Sequence, residues 1–218
     1  MGLKIVFQFC RIMMSSVALL FFLTCHDLYA SNLILDEEAV FCVYHKLSVS
    51  DMDDQDIEDF CFKRGRPTFT VYKPSEMFTR QTIKEFRKKM KKKIRNLGDD
   101  SLFTWRFKGK VSDSRDGKGY RVECGFQDMP RATNYINSEI SKTGRRSLER
   151  ILNSLVNRRS GSVKDRELDI NIVMRPQRIA FRFQKRNIAL EEVLLPIRYV
   201  IFHPISVEAL DETMTIEN

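Results

Sequence analysis

One long amphipathic helix, residues 75–97, most constrains how this chain can fold. Ser75 can cap its start, and Gly98 stands where a left-handed residue often ends a helix. Apolar side chains recur along the segment at helical spacing and form a narrow stripe: Ile83, Phe86, Met90, Ile94 and Leu97. A stripe of this kind must be covered by another part of the protein.

The remaining faces of this helix are strongly cationic. Between residues 84 and 95, Glu85 is the single acid, and eight side chains are basic: Lys84, Arg87, Lys88, Lys89, Lys91, Lys92, Lys93 and Arg95. Neighbouring like charges on a helix repel by a few tenths of a kcal/mol per pair, so packing alone does not favour this density. The pattern predicts a surface for an anionic partner, such as a lipid headgroup, lipopolysaccharide, an acidic polymer or an acidic protein. The candidate binding residues on the helix are Lys84, Arg87, Lys88, Lys91, Lys92 and Arg95.

An acidic segment precedes the basic helix. The whole chain has a formal net charge of +8, but residues 31–62 contain nine acids and Lys46 as the only base. Residues 31–66 read as a pair of helices whose acidic first turns suit the helix dipole. This segment leaves open a second interpretation, in which the basic face is only solvated surface that the acids partly neutralise.

Three cysteines follow residue 30, namely Cys42, Cys61 and Cys124. Cys42 and Cys61 fall on the two acidic helices, and we expect a disulfide between them in an oxidising compartment. Cys124 falls on the apolar side of a strand and is expected to be buried. No spacing of ligands in the sequence predicts a metal ion or another cofactor.

Alternating residues predict a β-hairpin over residues 103–126. Phe103, Trp105 and Phe107 share one face, and the opposite face carries three further candidates for anion binding, Arg106, Lys108 and Lys110. We expect the apolar stripe of the basic helix to pack against the apolar face of this hairpin.

The rest of the chain predicts a mixture of helices and strands. A short helical piece near Asn134–Lys142, a helix from Ser147 and three strands within residues 168–203 precede an acidic, flexible tail at 206–218. The predicted fold is α+β: an antiparallel sheet of about five strands, with a helix inserted between the first hairpin and the last three strands. An OB-like barrel is the alternative. We expect the α+β domain to cover residues 67–205.

The first thirty residues resemble a secretory signal peptide. Lys4 and Arg11 give a positive start, the run 12–23 is apolar, and Ala30 offers a small residue before the cleavage point. This pattern predicts a periplasmic or secreted protein. The alternative is a chain that stays anchored in a membrane through the same segment.

The sequence favours binding over catalysis. Beyond residue 30 the histidines are His45 and His203, and the chain has no HExxH motif, P-loop, GxGxxG motif or nucleophile elbow. A hydrolase with a site near His203 and Cys124 is the alternative. Export and the expected burial of the hairpin aromatics argue against nucleic acid, because single-strand readers stack bases on exposed rings. The sequence indicates no oligomeric state.

The export hypothesis predicts where the mature protein begins. If the leader is cleaved after Ala30, the intact mass of the exported protein should correspond to a chain that starts at Ser31. Mass spectrometry of the exported fraction measures this directly. A full-length product retained in the membrane would contradict cleavage.

Overall fold

The computed structural model describes residues 33–49, 51–64, 76–114, 117, 119–159, 166–188 and 191–216. The predicted signal peptide lies outside these residues. As the sequence predicts, the protein is α+β, and four helices accompany a curled mixed sheet among the described residues. The helices are α1 (Glu37–Ser48), α2 (Asp54–Arg64), α3 (Glu76–Asn96) and α4 (Lys142–Arg158). The strands are β1 (Leu33–Ile34), β2 (Phe103–Asp113), β3 (Tyr120–Cys124), β4 (Ile136–Ile140), β5 (Glu167–Ile188), β6 (Glu191–Ala209) and β7 (Glu212–Thr215).

The two acidic helices begin at aspartate caps. The Asp36 carboxylate accepts a hydrogen bond from the Ala39 amide at 2.7 Å and starts α1, which ends at Val49 in the left-handed region (φ 54°). The Asp53 carboxylate accepts from the Asp56 amide at 2.6 Å and starts α2 in the same way. Gly98, beyond the end of α3, does not adopt the positive φ that the sequence predicts for it.

The apolar stripe of α3 packs on α1 and α2, and the predicted packing on the β2–β3 hairpin is wrong. The Phe86 ring lies 5.8 Å from the Phe41 ring and 5.0 Å from the Phe60 ring, centroid to centroid. Met90 is fully buried beside the thiol of Cys42, with 3.6 Å between the two sulfur atoms. The three N-terminal helices therefore form one layer, and α1 joins it to the sheet through β4, β5 and β6.

The sheet has seven strands in the order β1-β2-β5-β6-β4, with β3 also paired to β2 and β7 to β6. It is mixed, because β1 pairs with β2 and β4 with β6 in parallel, whereas the sequence predicts an antiparallel sheet of about five strands. The predicted hairpin is present: β2 and β3 pair antiparallel, with Phe103, Trp105 and Val111 buried and Arg106 exposed. The alternation of β2 therefore matches the prediction.

The segment predicted as a short helix near Asn134–Lys142 forms β4. Ile136, Ser138 and Ile140 alternate as its buried residues, which is strand rather than helical spacing. Helix α4 starts at Lys142, earlier than the predicted Ser147, because the Ser141 hydroxyl accepts from the Gly144 amide at 3.2 Å and caps it.

Helix α4 covers β3 and β6 and protects the free edge of β3. The Asn157 side chain accepts from the Tyr120 amide at 2.8 Å and donates to the Tyr120 carbonyl at 2.7 Å. The Asn153 side chain accepts from the Val122 amide at 2.8 Å. Side-chain amides thus complete the backbone hydrogen bonds of an edge strand that would otherwise be open to another chain.

Where the sequence predicts three strands within residues 168–203, the structure has two long strands, β5 and β6. β5 and β6 pair antiparallel along their whole length, and β5 continues through Pro176 with a register shift next to it. The ring of Phe181 is 65% exposed and that of Phe183 is 71% exposed, although their alternation predicts burial. The predicted flexible tail instead completes β6 and forms β7, and Ile216 is buried.

Gly144 allows the first turn of α4 to approach β6 closely. A Cβ at this position would lie 2.7 Å from Cγ of Pro204 and 2.8 Å from the Ser141 hydroxyl. We expect Gly144→Ala to lower the free energy of unfolding by about 1–3 kcal/mol through overpacking, measured by urea denaturation. The control is Gly98→Ala, whose Cβ would meet its nearest atom at 3.6 Å.

Helix propensity alone predicts the opposite sign for this substitution. Alanine is favoured over glycine in a helix by about 1 kcal/mol, so a stabilised Gly144→Ala variant would contradict the close approach of α4 and β6.

Candidate functional site

The cations of α3 fall into two groups according to their position around the helix. The first group flanks the apolar stripe and contacts acids of the preceding helices: Arg87, Lys89, Lys91 and Lys93. The second group lies opposite the stripe and consists of Lys84, Lys88, Lys92 and Arg95, which we call the outer row. The sequence shows both groups as one dense basic stretch.

On one flank, Lys89 and Lys93 pair with the same carboxylate, that of Glu38 in the first turn of α1. The Lys89 ammonium lies 3.3 Å from Glu38 Oε2, and Lys93 contacts Oε1. The Glu38 side chain is only 7% exposed. Burial by itself raises the pKa of Glu38, but the hydrogen bonds and charges of Lys93 and Lys89 together outweigh it and hold the pKa below its usual value.

On the other flank, α3 contacts α2 and the residues before it. Arg87 pairs with Asp54, and the Lys91 ammonium lies 3.7 Å from the Asp51 carboxylate. At the C-terminal end of α3, Lys46 of α1 pairs with Asp99 at 3.0 Å. The acidic helices therefore neutralise the two flanks of α3, as the second interpretation of the sequence anticipates.

The outer row has no such partners. All four of its side chains are exposed, and within the described part of the chain none of them forms an ion pair. The one nearby acid, Glu85, accepts a hydrogen bond from the Gln81 side chain at 3.1 Å. Of the six predicted binding residues on α3, Arg87 and Lys91 are thus engaged within the protein, and Lys84, Lys88, Lys92 and Arg95 face solvent.

Two of the three candidate cations of the sheet, Lys108 and Lys110, lie beside acids, and the third is Arg106. Lys108 pairs with Glu167 at 3.0 Å, and the hydrogen bond to Glu167, followed by the charges of Glu167 and Asp169, raises the pKa of Lys108. Lys110 stands opposite Glu123 on β3 and opposite Glu167 on β5. Arg106 faces Asn171 across the same pair of strands. This face of the sheet carries mixed charges, so it presents no continuous cationic surface.

The predicted disulfide is absent from the structure. No two of the described cysteines lie within disulfide distance of each other, and Cys42 is buried against Met90. Burial raises the pKa of the Cys42 thiol to about 12, which keeps its sulfur protonated and unreactive near neutral pH.

His203 and Cys124 do not form a nucleophile–base pair. Burial, assisted by the charge of Glu149, raises the pKa of the Cys124 thiol to about 12. His203 Nδ1 lies 3.2 Å from the hydroxyl of Ser141, the residue that caps α4. No described hydrogen bond joins Cys124 to His203, and a nucleophile of this type requires an adjacent base or a lowered pKa.

Sequence reasoning missed a buried ion pair between the helical layer and the sheet. Arg198 on β6 donates two hydrogen bonds to the Asp56 carboxylate, at 2.8 and 3.0 Å, and its guanidinium lies 5.5 Å from the Tyr44 ring centroid. The imidazole of His45 lies 3.9 Å from the same carboxylate. Two signals could have indicated it: Asp56 lies on the apolar face of α2, four residues before Phe60, and Arg198 interrupts an otherwise apolar strand.

No group of three or more His, Cys, Asp or Glu side chains among the described residues is arranged to hold a metal ion. None of the described helices is long and apolar enough to cross a membrane. No protein family matches this chain, and no curated protein or solved structure is significantly similar to it.

The pairing of Glu38 with two lysines predicts how the stability of the fold depends on pH. Because the pKa of Glu38 is lowered in the folded state, its contribution is fully present above the unfolded pKa, near 4.5, and is lost as the pH falls through the folded pKa. We expect Glu38→Gln to lower the free energy of unfolding by about 1–3 kcal/mol at pH 7. The difference from the native protein should shrink below about pH 4.5 in urea denaturation series.

Glu37→Gln is the control, because it removes the same charge from the same turn of α1 and therefore reports the helix-dipole contribution. A loss that is equal for the two variants, or a loss at Glu38 that stays constant down to pH 3, would show that the two lysines do not stabilise the Glu38 carboxylate.

Proposed function

We propose that this protein is an exported, non-enzymatic binding module that holds an anionic partner on the outer row of α3. The observation that carries the proposal is the division of cations on this helix. The flanking cations contact Glu38, Asp51 and Asp54, whereas Lys84, Lys88 and Lys92 are exposed and form no ion pair within the described residues.

The dimensions of the outer row suit an extended partner. Eleven residues separate Lys84 from Arg95, which corresponds to about 16 Å along a helix. This length exceeds the screening distance of about 10 Å at 0.1 M salt, so the two ends of the row act on different parts of whatever they bind. A membrane surface or a linear polymer offers anionic groups over that distance, and a small molecule does not.

The flanking ion pairs fix the orientation of the outer row. The stripe of α3 is packed on α1 and α2, and acids hold both flanks, so the remaining direction for the outer row is solvent. The chain's own acids are already engaged at the flanks. The outer row is therefore available to an anion that comes from outside the protein.

The other candidates have less support. The sheet cations Arg106, Lys108 and Lys110 are interleaved with acids. The hydrolase alternative near His203 and Cys124 has a thiol with a raised pKa and no base bonded to it. Each outer-row lysine, by contrast, is worth about 1 kcal/mol near an anionic membrane surface.

The test compares two variants that remove equal charge. In the first, Lys84, Lys88 and Lys92 are replaced by Gln; in the second, Arg106, Lys108 and Lys110 are replaced by Gln. Binding of the mature chain to vesicles with and without anionic lipid, and to immobilised heparin, is measured at low and physiological salt. We expect the α3 variant to lose roughly 100-fold in affinity, from three contributions of about 1 kcal/mol, and the sheet variant to lose little.

Either of two results would contradict the proposal: no salt-sensitive binding by the native protein, or equal losses in the two variants at unchanged thermal stability. Binding to anionic vesicles but not to heparin would identify a lipid surface as the partner, and the reverse result would identify an acidic polymer.

A further inference from the structure

A polar cleft of about 360 Å³ lies between β4, the first turn of α4 and the outer part of β5 and β6. Three arginines line it, Arg131, Arg145 and Arg182, together with one acid, Glu139. The remaining polar lining includes Asn137, Gln184 and Tyr199. A volume of this order fits a small molecule rather than a macromolecule.

Two of the three guanidinium groups are held in fixed planes by aromatic rings. The Arg145 guanidinium lies 4.8 Å from the Phe126 ring centroid, and its Nε donates to Glu149 at 2.9 Å. The Arg182 guanidinium lies 4.7 Å from the Tyr199 ring centroid. Cation–π contact of this kind holds a guanidinium while its edge keeps donors for an oxyanion, which arginine can bind with two parallel hydrogen bonds.

On the side of the cleft that contains Arg182, an ion pair and a hydrogen bond join neighbouring side chains. Arg182 Nη2 lies 2.6 Å from Glu139 Oε2, and the Tyr199 hydroxyl accepts a hydrogen bond from the Gln184 side chain at 3.2 Å. Glu139 offsets one of the three positive charges, so the lining keeps a net positive charge. Preorganised donors of this type lower the entropic cost of binding an anion.

The cleft also contains a buried acceptor that requires a donor. Asn137 Oδ1 is inaccessible to solvent and has no hydrogen-bond partner within the described residues. A buried polar atom without a partner costs about 1–3 kcal/mol, so a turn of the Asn137 amide that brings Oδ1 to a ligand hydroxyl or amino group in the cleft would recover that free energy. Asn137 stands directly opposite Tyr199 on the neighbouring strand, next to the ring that carries Arg182.

We infer that this cleft binds a small molecule in which a carboxylate or phosphate lies close to a hydroxyl or amino donor. The oxyanion is recognised by Arg182 and Arg145, and the donor is recognised by Asn137. This site is separate from the outer row of α3, because it contains no residue of that helix. The inference therefore stands or falls independently of the proposed function.

The experiment is calorimetric titration of the mature chain with paired probes. Lactate and propionate are carboxylates with and without a hydroxyl, and glycerol 3-phosphate and propyl phosphate serve as the phosphate pair. We expect the hydroxyl-bearing probe of one pair to bind with a Kd below about 10 mM and more tightly than its partner. The pair that binds distinguishes carboxylate from phosphate recognition.

Three variants test the assigned residues. Arg182→Gln should weaken binding at least about tenfold, because it removes one charge-assisted pair of hydrogen bonds to the oxyanion. Asn137→Ala should abolish the preference for the hydroxyl-bearing probe without removing binding of the anion. Arg146→Gln, on the exposed surface of α4 beside Arg145 but outside the cleft lining, is the matched control and should bind as the native protein does.

If Arg182→Gln does not fold, Arg145→Gln takes its place, because Arg145 is exposed on α4 and contributes no core packing. The inference is overturned if no probe binds below about 10 mM, if Arg146→Gln loses as much affinity as the cleft variant, or if Asn137→Ala keeps the hydroxyl preference.

Discussion

The contact between Asp56 and Arg198 joins the helical layer to the centre of the sheet. Burial raises the pKa of the Asp56 carboxyl even though Arg198 acts in the opposite direction. The ionised pair is therefore not a simple source of stability, and a well-packed apolar pair could replace it at little cost. Removal of one partner alone is different, because it leaves a buried charge and generally costs about 3–5 kcal/mol. The pair thus gives α2 a polar contact with β6, while the rings of Phe41 and Phe60 pack α2 on α1.

This arrangement explains why the acidic and basic halves of the N-terminal region occur together. Once Asp56 fixes α2 on the sheet, Asp54 and Glu38 stand on either side of the groove that receives α3. Helix α3 enters with its stripe toward Phe41 and Phe60 and its flanking cations toward those acids. The acids account for the flanking cations and leave the outer row unexplained by folding. Because no contact within the described residues requires the outer row, its cations are the physical basis for proposing an external partner.

Local periodicity predicted the elements whose neighbours are close in the chain. The helices α1, α2 and α3 and the alternation of β2 follow from spacing alone. The three strands predicted within residues 168–203 are two, because Pro176 lies inside β5, and the reason is specific to the sheet. Pairing of β5 with β2 ends at Met174, so Pro176 falls where that edge of β5 has no strand beside it and the missing amide donor costs nothing. Phe181 and Phe183 lie beyond the same point, where, among the described strands, β5 pairs with β6 alone, and both residues are exposed.

The candidate sites depend on contacts that the sequence does not reveal. The eight cations between residues 84 and 95 can be counted in the sequence, but their division into flanks and outer row depends on which acids lie beside the helix, and those come from α1, α2 and the residues just before α2. The cleft lined by arginines is even harder to predict from the sequence. Arg145 and Arg182 are far apart in the chain and meet because β4 pairs in parallel with β6, a crossover that no short-range pattern encodes. The segment that makes this pairing, Ile136–Ile140, falls within the stretch that the sequence predicts as a short helix. The helix prediction for this segment therefore also concealed the cleft. It is the pairing of β4 with β6 that brings Asn137 and Glu139 beside Tyr199 and Arg182.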